Sequence, residues 1–144
     1  MLIRLVVPGE HARVEDLNAS LEAVLARHCV ARGVRDDVRL IVEELASNAI
    51  EYGGADAPVG QHELSVDIAI EGELLTLRFS DDGAAFDPTG TPSPDLEADI
   101  DERPIGGLGL HLIKQLAEQI SYRRENGFNL LTVILRIPAL EEQA

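Results

Sequence analysis

Cysteine, aromatic rings and basic charge are all scarce in this chain. It holds one cysteine, no tryptophan, two tyrosines and three phenylalanines in 144 residues. The single Cys29 excludes an internal disulfide and any cysteine-based zinc cluster. So few rings leave no stacking platform for single-stranded nucleic acid. Twelve basic residues face 26 acidic ones, a formal charge of −14. Such a surface repels phosphate backbones and anionic headgroups, which argues against direct nucleic-acid or membrane binding and leaves a basic protein partner open. No run approaches the ~18 apolar residues needed to cross a bilayer. The N-terminal MLIRLVVPGEHARVEDL has too short an apolar stretch for a signal peptide before it turns acidic. These absences point to a cytoplasmic protein.

Apolar residues make up 45% of the chain, enough for a core, and the length predicts one domain over 1–144. Leu2 to Val7 reads as a strand closed by Pro8-Gly9. From Val14 the period changes: Leu17, Leu21, Val24, Leu25 and Val30 predict a helix ended by Gly33, with Cys29 as inert core on it. Asp36 or Asp37 then caps a second helix whose apolar face is Val38, Ile41, Val42, Leu45, Ala49 and Tyr52, stopped by Gly53-Gly54. Leu64 to Ile70 and Leu75 to Phe79 alternate with polar residues around Glu71-Gly72-Glu73, an antiparallel hairpin. Residues 87–105 hold four of the seven prolines and six carboxylates. A structureless segment of that length is functional or disordered. GGLGL opens a third helix, Leu110 to about Ile120, and Asn126-Gly127 joins a short strand, Tyr122–Glu125, to a long one, Phe128–Ile137. Helices in blocks beside an antiparallel sheet predict an α+β two-layer sandwich with helices on one face.

Three features could carry chemistry. Glu44 and Asn48 lie one turn apart on the same face of the second helix, with Glu51 continuing the stripe. A carboxylate and a carboxamide at that spacing can share a hydrated divalent cation; alone, the stripe equally describes a solvated helix face. Asp81-Asp82-Gly83 follows a strand, where a carboxylate can accept from an exocyclic amine and glycine admits a flat ring; alone, it is also a common turn. Glycines at the start of the third helix let backbone N–H groups face an anion, but no P-loop lysine follows and the Rossmann fingerprint fails. His11, His28, His62 and His111 have no metal-ligand spacing, and no G-x-S-x-G occurs.

The order of these features is more specific than any of them. EELASNAIEYG, then DDGAAFDP, a proline-rich loop, GGLGL and a threonine in the last strand together resemble the Bergerat-fold (GHKL) ATPases. That superfamily includes gyrase, heat-shock chaperone ATPases, MutL-type repair proteins and histidine kinases. The chain is most similar to the anti-sigma-factor serine/threonine kinases of bacterial partner-switching systems. The resemblance implies Glu44 as general base, Asn48 as Mg²⁺ ligand, Asp81 and Gly83 at the adenine, and Gly107, Leu108, Gly109 and Leu110 at the phosphates. It implies Thr132 near the adenine and residues 87–105 as an ATP lid. Tyr52 stands where many relatives carry histidine, Ala85 where many carry glycine, and Arg103 is the nearest basic residue before the phosphate glycines. The implied function is an ATP-dependent protein serine kinase, using ATP/ADP and Mg²⁺, acting on a STAS-type anti-sigma-factor antagonist. A bound sigma factor and a homodimer are implied as well. The competing readings are a nucleotide-dependent binding module without kinase activity, a detached histidine-kinase catalytic domain, and an acidic structural domain.

Overall fold

The computed structural model describes residues 2–53, 62–83 and 107–138. Strand β1 (Ile3–Pro8) leads into helices α1 (His11–Arg27) and α2 (Arg32–Asn48), and α2 runs into one π-helical turn, Ala49–Gly53. Strands β2 (Glu63–Glu71) and β3 (Leu74–Asp81) form the first hairpin; α3 (Gly107–Leu116) precedes the second, β4 (Gln119–Glu125) and β5 (Phe128–Arg136). The five strands lie in the order β1-β2-β3-β5-β4, every neighbouring pair antiparallel. The last hairpin inserts its second strand beside β3 and leaves β4 at the edge.

Alternation decides the layers. Leu64, Val66 and Ile68 of β2, Leu75, Leu77 and Phe79 of β3, and Leu131, Val133 and Leu135 of β5 are buried on one face. They form one core with Leu17, Leu21 and Leu25 of α1, Val38, Ile41, Val42 and Leu45 of α2, and Ile113 of α3. Each such side chain contributes about 1.5–3 kcal/mol by leaving water. The opposite face, with Ser65, Thr76, Arg78 and Thr132, stays partly or fully exposed. This is the expected α+β sandwich with helices on one face.

Four boundaries differ from expectation. The first helix stops at Arg27, not Gly33. Val30 N–H donates to Leu25 O and Cys29 N–H to Ala26 O, while Cys29 takes φ +63°. That is a Schellman cap, with a cysteine where glycine usually sits. Cys29 is therefore a partly exposed cap residue and not part of a helical core face. The turn is so tight that α2 restarts at Arg32, with Gly33 inside its first turn and Ala31 as N-cap. Asp36 and Asp37 fall one turn too late to cap it. The third helix ends at Leu116, and Ile120 belongs to β4. Glu118 N–H already donates to Ile134 O, so the backbone has joined the sheet ladder. Strand β4 accordingly starts three residues before the expected Tyr122.

Candidate functional site

The β3 terminus carries a buried carboxylate. Asp81 falls on the helix side of the sheet, in register with Leu75, Leu77 and Phe79, and is 7% exposed. Its Oδ1 accepts from Gly83 N–H at 2.9 Å and from Asn129 Nδ2 at 3.1 Å. Burial pushes its pKa up; the Asn129 and Gly83 hydrogen bonds and the nearby His62 pull against that. A buried carboxyl with two donors on one oxygen is a built acceptor, more than a turn residue.

Asn129 was not among the expected site residues. It is the β5 partner of Asp81 in the ladder, and its Oδ1 accepts from Tyr122 Oη and from Arg124 Nη1 at 3.1 Å. Arg124 Nη1 also donates to Gly83 O at 2.7 Å. A polar residue on the inward register of Leu131, Val133 and Leu135 was the available signal, since such positions are otherwise apolar. Thr132, expected near the adenine, is three residues further on, and a strand's period of two puts it on the other face. There it lines a cavity of about 410 Å³ with Arg78, Ser121, Arg123 and Leu130. The structure thus puts Asn129, not Thr132, beside Asp81.

Asp82 fastens the turn from the other side. Its Oδ1 lies 2.7 Å from Nδ1 of His62 and accepts from Glu63 N–H at 2.9 Å. His62 is buried and packs against Gly9, where a β-carbon would fall 2.2 Å from His62 Cδ2. Only glycine permits that approach.

On α2, Glu44 is half-buried and Asn48 is buried at 4% exposure. Burial raises the Glu44 pKa, and Glu43 and Glu51 add to the rise. No described residue donates a hydrogen bond to Glu44. Asn48 Nδ2 is buried with no partner, so the donor end of this carboxamide is not satisfied by the protein. Among the described residues no group of three or more His, Cys, Asp or Glu could hold a metal ion. A carboxamide oxygen at Asn48 is compatible with Mg²⁺, which keeps waters and takes most of its other ligands from phosphates. Gly107, Leu108, Gly109 and Leu110 form the first turn of α3, where helix N–H groups have no intrahelical acceptor. The expected lid 87–105, with Arg103, and Ala85 lie outside the described residues, as does the Tyr52 side chain.

Known proteins share this fold and part of this sequence. The family model described as histidine kinase-like ATPase domain matches residues 7–135. The serine/threonine-protein kinase BtrW of Bordetella bronchiseptica is 29% identical over 78% of this chain and 78% of its own length. The serine-protein kinase RsbW of Listeria monocytogenes is 26% identical over 99% of this chain and 92% of its own. Among solved structures, the RsbU and RsbW domains of a Mycobacterium tuberculosis protein superpose with TM-score 0.63 at 16% identity, covering 98% of this chain and only 35% of that one. The SiaB–SiaC complex of Pseudomonas aeruginosa gives TM-score 0.61 at 18% identity, covering 94% and 90%. At these identities the structural likenesses show the fold alone.

Proposed function

The chain belongs to the histidine kinase-like ATPase domain family, and from that membership we propose that it is an ATP-dependent protein serine kinase of a partner-switching system. Its proposed substrate is a STAS-type anti-sigma-factor antagonist. A sigma factor is the proposed second partner, held or released according to the antagonist's phosphorylation. The names of the kinase relatives support this reading.

One observation carries it: Asp81 is a buried carboxylate with both donors on Oδ1, on the same side of the sheet as the helix bearing Glu44 and Asn48. Oδ2 is left to accept the exocyclic amine of adenine, and the phosphates extend toward the first turn of α3. Asn48 is the proposed protein ligand for Mg²⁺, which supplies charge neutralisation at the phosphates when bound. Glu44 is the proposed base. Burial raises its proton affinity, which brings it nearer the range where a base works at neutral pH. The serine oxygen bonds to the γ-phosphorus, the bond to the bridging oxygen breaks, ADP departs and Glu44 takes the hydroxyl proton.

The test is phosphorylation of the STAS-type protein from labelled Mg-ATP. Glu44→Gln is expected to keep nucleotide affinity and slow transfer about 10²–10⁴-fold, the scale of a positioned base. Asn48→Ala is expected to weaken nucleotide binding only when Mg²⁺ is present. Wild-type transfer in Glu44→Gln removes the base assignment. Tight ATP binding with no transfer by the wild type makes the protein a nucleotide-dependent binding module instead.

A further inference from the structure

Asn129 can face Asp81 in two ways, and the structure contains the groups that choose between them. A carboxamide has an acceptor end and a donor end of nearly equal size, so rotation by half a turn exchanges them. Arg124 has only donors. The Asn129 atom 3.1 Å from Arg124 Nη1 is therefore the oxygen, and Tyr122 Oη donates to that same oxygen. The amide nitrogen must then point at Asp81, 3.1 Å from Oδ1. Arg124 is itself anchored on Gly83 O, so strand β4, the β5 amide and the turn after β3 form one closed circuit. Nothing in the nucleotide contacts implied for this family requires Tyr122 or Arg124.

We propose that Tyr122 and Arg124 are specificity-determining positioning residues: they fix the Asn129 amide so that Asp81 Oδ1 is permanently occupied and Oδ2 alone meets the base. This rests on the adenine role proposed for Asp81. With the amide held, the site offers the base a pure acceptor, which suits a 6-amino purine and opposes a 6-oxo purine. With the amide free to turn, its oxygen competes with Asp81 for the same space, and the carboxylate loses the donor that helps keep it ionised. Among the described residues the other charged or titratable groups facing Asp81 are His62 and Asp82 at the strand ends. They are the same in every variant below, so they do not produce a difference between variants.

The experiment measures binding of Mg-ADP and Mg-IDP, which differ at the base in the 6-substituent and in the N1 proton that the 6-oxo form carries, across pH. The Tyr122→Phe/Arg124→Met double variant is expected to lose about tenfold in ADP affinity, the scale of one half-made buried hydrogen bond, while IDP affinity barely changes. The acid limb of ADP binding is expected to move to higher pH, because the Asn129 hydrogen bond is the largest of the effects that oppose the burial-raised Asp81 pKa. Tyr122→Phe alone changes no charge, so a shifted limb there cannot come from a lost cation. Arg124→Lys keeps a donor and is expected to retain the wild-type ADP/IDP ratio. Tyr122→Phe removes one of the two donors that hold the amide oxygen, so it is expected to give a smaller change of the same sign and tests the proposal even if the double variant does not fold. A wild type that binds ADP and IDP alike defeats the adenine reading. A wild type that discriminates, with Tyr122→Phe unchanged in both ratio and pH limb, defeats the relay alone.

Discussion

The buried carboxylate of Asp81 works against the fold. Burial raises its pKa, so the native state holds the proton more tightly than the unfolded chain does. By linkage, stability then falls as pH rises from the ordinary carboxylate range through the raised value, and the whole penalty is present above it. Asp81→Asn keeps an oxygen for the Gly83 and Asn129 donors but removes the buried charge. The apo variant is therefore expected to melt above the wild type at about pH 8, and the gap is expected to close as pH falls through the raised Asp81 value. Adenine affinity should drop by about 1–3 kcal/mol, since an amide nitrogen replaces the accepting oxygen. Calorimetry over the pH series checks the first claim, and a variant that melts lower at every pH refutes it. Asp37 and Glu44 also have pKa values raised by burial, but both proteins share them and they cancel in the comparison. The placement of Glu44 and Asn48 on one helix face and of Asp81 at a strand end was legible in the sequence, because local spacing carries that signal. Asn129, Tyr122 and Arg124 were not. Their contacts come from the β3–β5–β4 register, which joins residues 41 and 48 positions apart; the one local trace is the polar side chain of Asn129 on an inward strand position.

At the scale of elements, periodicity located every helix and strand of the described residues, but three helix ends moved. The reason is the same at two of them: a short apolar run continues the helical period after the backbone has left the helix. Val30 extends the α1 pattern but is buried by the cap beyond Cys29, and Ile120 sits four residues after Leu116 but lies in β4. Two glycines turn this into an opposed pair of predictions. Gly127 has φ +83° in the β4–β5 turn, and Gly33 lies in the first turn of α2; a β-carbon meets nothing within 4 Å at either. Space is not the variable, so backbone preference alone decides. Gly127→Ala is expected to destabilise by about 1–2 kcal/mol, the penalty of a β-carbon in the left-handed region. Gly33→Ala is expected to stabilise by about 0.4–1 kcal/mol, because it restricts the unfolded chain at a helical position. Denaturant midpoints of the two variants check both signs. A destabilised Gly33→Ala would restore Gly33 as the end of the first helix.

Across the whole molecule the dominant electrostatic fact is excess, not pairing. The charge of −14 is what remains after every basic residue is counted. Most ion pairs among the described residues are weakly placed, although Arg4 with Asp67 and Arg35 with Glu22 each have one partly buried partner. Arg39 with Glu15 and Glu43, Arg13 with Asp16, and Arg136 with Glu118 all lie between exposed side chains. Exposed pairs each contribute about 0–1 kcal/mol, whereas repulsion among unpaired carboxylates acts on the compact state everywhere at once. Salt screens both, but not equally in effect. The Debye length shrinks from about 10 Å at 0.1 M to about 3 Å at 1 M. A direct contact near 3 Å is therefore weakened less than repulsion spread over the width of the domain. The apo protein is accordingly expected to gain melting temperature as sodium chloride rises from about 0.05 M to about 0.5 M, at constant pH. Thermal melts across that series decide it. A falling melting temperature would mean that the Arg39 and Arg136 contacts outweigh the net field, and Arg39→Met would then be expected to abolish part of the salt dependence.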